Sequence, residues 1–518
     1  MNPTLGSTSP KLRVTEEIDT NGTAAKWCEA AVVVCLFLFA LSAPLSIAGT
    51  QIAWLLGMSL WMLRFAFYPP PRTYRTPLDY PLLGFFILTG LSAFFSYEPL
   101  VSIGKLRGAS LFTIVYLFAE NIPSRRVLRL LVLTLLASFM VTVLYTAGQR
   151  VIGRGVKVHG VAAGSPLSAA IMTEGRNTTP QPIRDGDTIM EVDGTRVRNA
   201  ADLALALDAS HGPGTARVKI YRAEWAPILQ VPRGALLPGT GPEEHLGILD
   251  WSRGRDWRAS GFYGHYVTYA EALQLVLALA LGMLTSLPMK RSMSGGLLVL
   301  TIVGLGFALT LTVTRAPWLA FLVSSAVILF LGASRKVVIV AAALALPLVF
   351  AGLFILQQKR NVAFLDQRDN STTWRETVWR EGFELLVSKP RHMLIGVGMD
   401  SIKGHRREWG LFDKGRLPPG HMHSNLLQLA LERGIPALIL WLVFLGLYAR
   451  MLWLLIRSKM IDDWIERGVV LGALGGMCGF LTSGLVHYNW GDSEVVMIFY
   501  LIVGLTLVIE RRVRLQHQ

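Results

Sequence analysis

Apolar runs long enough to cross a bilayer recur from one end of this chain to the other. A helix of about 20 apolar residues spans a hydrocarbon core of roughly 30 Å. The first such runs centre on Val32–Ala43, Ala53–Phe67, Leu82–Phe95, Ala109–Phe118 and Leu128–Thr146. The next centre on Ala272–Leu287, Leu297–Val313, Trp318–Leu331 and Val338–Ile355, and the last on Ala437–Leu455, Val469–Leu485 and Val495–Ile509. Together they predict roughly twelve spans, of which the fourth is the least regular because Lys105 and Arg107 lie at its start. Composition agrees: 52% of residues are hydrophobic and 16% charged, whereas soluble domains approach a quarter charged. The expected fold is an all-α polytopic membrane bundle.

Basic residues in short loops orient such a bundle. Arg72 and Arg75, Arg125 and Arg126, Lys290 and Arg291, Arg335 and Lys336, Arg457 and Lys459, and Arg511, Arg512 and Arg514 follow every second span. These loops are expected in the cytoplasm with both termini, and the long loops Val151–Gly261 and Gln358–Met422 on the other face. The net charge of +15 is then mostly a topology signal, and no nucleic-acid partner is expected. Residues 1–25 lack the apolar core of a signal peptide and read as a disordered cytoplasmic tail. Cys28, Cys35 and Cys478 fall in or beside spans, as inert thiols do. The expected division is 26–150 for spans one to five, 151–240 for an inserted domain, and 241–357 for a linker and spans six to nine. Residues 358–423 form a second long loop, and 424–518 hold spans ten to twelve and a cytoplasmic end.

The inserted domain carries Gly164-Ser165-Pro166, Ile183-Arg184-Asp185-Gly186-Asp187-Thr188-Ile189, Val192-Asp193-Gly194 and Ala216–Arg222. Asp-Gly pairs mark tight turns, Val218 and Ile220 alternate with polar neighbours as in a strand, and 200–208 reads as a short amphipathic helix. This pattern resembles the bacterial PDZ domain through Gly164–Ala170, Ile183–Gly194, Asp202–Leu207 and Val218–Arg222. Thr173–Pro182 is an insertion relative to it, and Val158-His159-Gly160-Val161 is the candidate carboxylate-binding loop. The resemblance implies an α+β insert that binds a peptide or protein by strand addition; a spacer without ligand is the alternative.

The second long loop concentrates polar residues. Arg375 and Trp379 are four apart and share a helix face, on a helix expected to be capped by Thr372 or Thr373, to hold Glu376 in its first turn and to run to about Val387. Arg375, like Arg315 before Ala316-Pro317-Trp318, offers a planar fork suited to phosphate oxygens; for Arg315 a snorkelling interface arginine is the alternative. Gly396-Val397-Gly398 is a turn where backbone can approach a ligand or a helix closely. His421 and His423 precede a helix expected at Asn425–Glu432. Zinc needs more converging ligands than this pair, although His392 and His405 share the loop. A histidine among arginines at a membrane surface suits a base for a hydroxyl; a structural histidine is the alternative.

Arg375, Trp379, Pro390, Gly396, Gly398, His421, His423, Ser424, Leu427 and Gly434 together resemble the late loop of the O-antigen ligase and polymerase superfamily. Thr314–Trp318, Arg258–His265 and Lys105–Gly108 resemble further segments of it. One residue is inserted between Pro390 and the glycine turn, and Ser424 stands where Asn is usual. The resemblance implies inverting, metal-independent transfer of a glycan from a polyprenyl-diphosphate carrier to an acceptor hydroxyl at the periplasmic face of a bacterial inner membrane. It implies no cofactor.

In that reading His423 is the base, and Arg315, Arg375, Arg258, Lys105 and Arg107 bind the diphosphate. His421, Trp379, Glu376, Gly396 and Gly398 contact substrate. Asp400, Asp492, Trp374, Trp409 and Trp490 are further candidates for sugar contacts. The expected acceptor is lipid A–core; a second lipid-linked unit (a polymerase) or a protein hydroxyl (an O-oligosaccharyltransferase) are the alternatives. From another class, a transporter of lipid-linked sugars predicts ionisable residues within the spans, where few are evident. An intramembrane metalloprotease lacks its H-E-x-x-H motif, and no G-x-S-x-G elbow is present.

Overall fold

The computed structural model describes residues 23–66, 75–174, 177–208, 210, 212, 214–222, 226–343, 370–417 and 420–517. It is mostly helical, with one β-rich domain inserted after residue 153. Among the described residues, eight helices are long and apolar enough to cross a membrane: Pro99–Asn121, Arg125–Ile152, Tyr266–Ser286, Met293–Leu311, Arg315–Gly332, Ile435–Arg457, Trp464–Gly484 and Ser493–Gln516. Thr23–Ser42, Ile47–Arg64 and Asp79–Phe94 are further helices on the first three expected spans. Most of the expected ninth span, Val338–Ile355, and most of the N-terminal tail lie outside the described residues.

The fourth span is broken. Helical pieces Pro99–Gly104, Leu106–Ala109 and Thr113–Asn121 follow one another, and the first break falls at Lys105, whose ammonium pairs with Asp400 at 3.0 Å.

Small residues set the bundle's tightest contact. A Cβ at Gly472 would lie 2.6 Å from Leu279 Cα, and one at Gly282 would lie 2.8 Å from Gly472 Cα. Helices Tyr266–Ser286 and Trp464–Gly484 therefore meet backbone to backbone, as small-residue faces allow in lipid. Gln274 Nε2 donates to Ser324 Oγ at 2.7 Å and ties in helix Arg315–Gly332.

The β-rich domain holds β1 (Arg154–Val161), β2 (Ile171–Glu174), β3 (Asn177–Pro180), β4 (Thr188–Val192), β5 (Thr195–Arg196), β6 (Thr215–Tyr221), β7 (Ile228–Pro232) and β8 (Ile248–Gly254). The sheet runs β3-β2-β7-β6-β4-β1-β8, with β5 beside β4. Val156, Val158, Ile189, Val218, Ile220, Leu229 and Val231 fill its core with Leu203 and Leu207. Those two leucines come from helix Ala200–Leu207, where Leu205 points outward and Asn199 caps the first turn through Asp202 N at 2.7 Å.

Three expectations about this domain change. The sheet does not end at 240: β8 lies in the stretch expected as linker and pairs antiparallel with β1, Val158 facing Trp251. The Thr173–Pro182 insertion belongs to the β2–β3 hairpin, Ile171 pairing with Pro180. Val158–Val161 is strand paired with β8, and Val158 N and Gly160 N already donate to Asp187 O and Asp185 Oδ1, so its backbone is not a carboxylate-binding loop. The terminal strands of the sheet are β3 and β8.

Candidate active site

Helix Asn370–Val387 opens the second loop and is already running at Asn370. Thr372 and Thr373 are therefore inside it rather than capping it, and Thr377 Oγ1 bonds back to Thr373 O at 3.0 Å. Trp379 Nε1 donates to Met422 O at 2.7 Å, and Met422 N donates to Gln428 Oε1 at 2.7 Å. These bonds clamp the His421–His423 segment between helix Asn370–Val387 and helix Asn425–Arg433. Met422 is buried. His423 adopts φ +46°, a conformation uncommon for a non-glycine residue and concentrated at functional sites.

The His423 ring stands edge-on to Trp374 at 4.8 Å and 6.3 Å from the His487 ring, centroid to centroid. Its pKa is held down to about 3, first by burial, then by His487, Arg375, His421 and His265. The ring is thus neutral at physiological pH and holds a lone pair able to accept a proton.

Behind it lies a group that sequence reasoning missed. Glu271 is fully buried in helix Tyr266–Ser286. Its carboxylate accepts from His487 Nδ1 at 3.1 Å, from Asn489 Nδ2 at 3.1 Å and from Ser483 Oγ. Asn489 Oδ1 accepts from Asn425 Nδ2 at 2.6 Å, and Asn425 Oδ1 accepts from Trp490 N at 3.1 Å. One polar network therefore joins two spans to the start of helix Asn425–Arg433. The signal was available: an ionisable residue inside an apolar run marks a site by default, and Glu271 is one.

His421 meets different company. Its ring lies 5.2 Å from Tyr488. Loss of solvent holds its pKa down; Lys403 and Lys105 act the same way, while Glu432 and Asp400 oppose. Glu432 accepts from Gln428 Nε2 at 2.8 Å, Asp400 N at 3.0 Å and Tyr488 OH at 3.3 Å. Asp400 pairs with Lys403 at 2.8 Å and Lys105 at 3.0 Å. Burial pushes the Asp400 carboxyl up, but these two lysines outweigh it and hold it below the usual range.

The glycine turn packs on protein. Gly396 has φ +81°, and a Cβ there would lie 2.5 Å from the Glu432 backbone. Val397 N and Gly398 N donate to Leu431 O at 2.8 Å and Glu432 O at 3.0 Å. The close approach expected of this turn is to helix Asn425–Arg433, where it fixes the Glu432 wall.

The other candidates divide. Arg258 lies over the Tyr266 ring at 4.5 Å and near His265, whose pKa is held down by desolvation, His487 and Arg258; it belongs with the His423 side. Lys105 belongs with the His421 side. Arg315 begins its helix after Thr314, just past Leu311, whose carbonyl accepts from Ala259 N at 2.9 Å. Glu376 and Arg107 are exposed. Trp490 is buried among Trp441, Phe480 and Phe499, and Trp409 stacks on His405 at 4.9 Å. Asp492 accepts from Thr268 Oγ1 at 2.9 Å, and burial pushes its pKa up to about 7.

Residues 297–442 match the family model described as O-antigen ligase. The match supports the O-antigen ligase family. No curated protein matches the chain. The ligase match takes in Arg315, Arg375, Glu376, Trp379, Gly396, Gly398, His421 and His423. Lys105, Arg107, Arg258, Glu271 and His487 lie outside it; Lys105 reaches the matched region through Asp400 and His487 through the His423 ring.

Proposed function

We propose that this protein transfers a glycan from a polyprenyl-diphosphate-linked saccharide to an acceptor hydroxyl, by an inverting, metal-independent reaction at the periplasmic face of a bacterial inner membrane. The acceptor in this reading is lipid A–core, and the bundle has twelve spans with both termini cytoplasmic. The observation that carries the proposal is a neutral imidazole, His423, set beside Arg375 and backed by the Glu271–His487 pair.

In the proposed step the acceptor oxygen bonds to the anomeric carbon as the carbon–oxygen bond to diphosphate breaks. A single displacement inverts that carbon. The hydroxyl proton passes to His423, and the polyprenyl diphosphate leaves with its charge held by Arg375, with Arg315, Arg258, Lys105 and Arg107 as further cations. Fixed guanidinium groups stabilise charge where it develops. Before the donor binds, burial first, and then Arg375 and the neighbouring histidines, make His423 a weak base. The incoming diphosphate offsets those cations and raises the ring's proton affinity when the base is needed. Glu271, through His487, opposes the positive charge that then appears.

The β-rich domain is read as PDZ-like, with a peptide or protein partner added along a terminal strand of its sheet. The alternative acceptors are a second lipid-linked unit, as in a polymerase, and then a protein hydroxyl, to which a peptide-binding domain gives some weight.

The test is transfer by purified protein supplied with a polyprenyl-diphosphate glycan and, separately, lipid A–core, a second donor unit and a peptide, with EDTA throughout. Transfer to one acceptor, lost in His423→Ala and Arg375→Ala, supports the proposal and names the acceptor. No transfer to any acceptor, or full activity in both variants, sinks it and favours the transporter reading.

A further inference from the structure

The last turn of helix Arg125–Ile152 and the β-rich domain enclose a pocket of about 240 Å³, lined by Gln149, Ile152, Arg154, Arg196, Arg198 and Arg253 among others. The arginines come from β1, β5, the turn after β5 and β8, so the fold rather than the sequence gathers them. No carboxylate lines the pocket. Several other basic groups of this domain are matched, Arg222 with Asp187, Arg233 with Asp193, Lys157 with Asp256 and Lys219 with Glu191, whereas Arg184, Arg217 and Arg255 have no ion pair among the described residues. Arg154, Arg196, Arg198 and Arg253 have no ion pair among the described residues. Four like charges around one concavity repel one another, and a bound anion relieves that repulsion.

A second observation says what kind of anion. Leu130, Leu133, Val141, Leu144, Val151 and Ile152 are the exposed large apolar residues of helix Arg125–Ile152. At 3.6 residues per turn they fall within about 100° of arc, a single lipid-facing stripe. That stripe ends at the pocket, because Ile152 belongs to both. An acyl chain lying on the stripe therefore brings its own headgroup to the arginines. Guanidinium forks match phosphate oxygens in bidentate geometry, and basic pockets beside spanning helices are recognised headgroup sites.

We propose that this pocket binds the phosphate of an anionic lipid in the leaflet on the β-rich domain's side, and so anchors that domain to the membrane. Arg154 contributes from the inner wall, where its guanidinium also lies 5.1 Å over the Trp257 ring, and Arg196, Arg198 and Arg253 contribute from the exposed rim.

The experiment is native mass spectrometry of the full-length protein in mild detergent with phosphatidylglycerol or phosphatidylcholine added. Wild type is compared with Arg196→Gln/Arg253→Gln, and with Arg291→Gln/Arg335→Gln as a charge-matched control elsewhere, at two exposed arginines. Wild type and the control should retain phosphatidylglycerol about tenfold over phosphatidylcholine, and the double variant should lose that preference. Millimolar inorganic phosphate should not displace the lipid. Equal retention of both lipids, an unchanged preference in the double variant, or full displacement by inorganic phosphate overturns the proposal. The single variant Arg198→Gln is scored by the same criteria, so a folding defect in the double variant does not shield the idea.

Discussion

A single residue, Met422, separates His421 from His423, and their surroundings are opposite in character. The wall around His421 is charge-balanced before any substrate arrives: Glu432 has its donors, and Asp400 has Lys105 and Lys403. The wall around His423 gathers Arg375, His487 and His265, and its carboxylate, Glu271, sits a layer deeper behind His487. In an extended segment residues two apart share a face; the left-handed backbone at His423, φ +46°, breaks that alternation, and buried Met422 lies between the two rings. A wall already balanced holds shape. A wall rich in cations and neutral imidazoles is the one that gains from an anionic substrate and can take a proton.

The sharpest way to break this comparison is to truncate each histidine. His423→Ala should lower glycan transfer by roughly 10²–10⁴, the usual worth of a positioned base. Arg375→Ala should cost roughly 10²–10³ through lost stabilisation of the leaving group. His421→Ala should cost no more than about tenfold, chiefly in KM, as a contact made equally in ground and transition states. Equal losses for the two histidines, measured as kcat/KM on the same donor, would erase the distinction between the walls.

The two buried acids sharpen it further. Glu271→Gln leaves volume intact but removes the charge that faces His487. A buried partner lost costs about 1–3 kcal/mol, a factor of roughly 5–150 on the barrier, and it should appear in kcat with the donor KM unchanged. Glu432→Gln should instead lower yield and thermal midpoint, with kcat retained in the folded fraction. Gly396→Ala should behave like Glu432→Gln, because φ +81° and the Glu432 backbone leave no room for a Cβ. Reversed signatures, with Glu432→Gln selectively lowering kcat, would make the His421 wall the reactive one.

Much of this was legible in the chain, and the exceptions have physical causes. Apolar runs announced the spans because hydrophobic length is a local property. The helices expected at 200–208 and Asn425–Glu432 form at Ala200–Leu207 and Asn425–Arg433. Histidines 421 and 423 and Arg375 stood out because polar residues are few between long apolar segments. Strand β8 was not legible: Ile248–Gly254 lacks clean alternation and becomes a strand only because β1, ninety residues earlier, offers an edge. The Glu271–His487 pair is likewise tertiary, its members 216 residues apart. The carboxylate was hidden in an otherwise apolar run that read simply as a span. The reach of the glycine turn onto Glu432, rather than into an open cleft, depends on how helix Asn425–Arg433 docks, and no local pattern encodes that.

The smallest expected effect is on pH, and it tests the His423 wall without removing it. The ring's pKa near 3 compares with an ordinary value of about 6.5. Between those values the unfolded chain binds more protons than the folded one, so stability rises with pH through that window and is lost as pH falls from about 6.5 toward 3. His423→Gln lacks this titration and should lose less stability on acidification than wild type, measured as thermal midpoint across pH 4–7. In kinetics, the acid limb of kcat/KM reports the free enzyme and should lie below about pH 5 in wild type. His487→Gln removes a neighbour that depresses the ring, so its limb should move up toward the ordinary imidazole value while the residual rate stays measurable. A wild-type limb near 6.5, unmoved by His487→Gln, would mean that the cations and histidines gathered around His423 do not set its charge. The contrast between the two walls would then rest on shape alone.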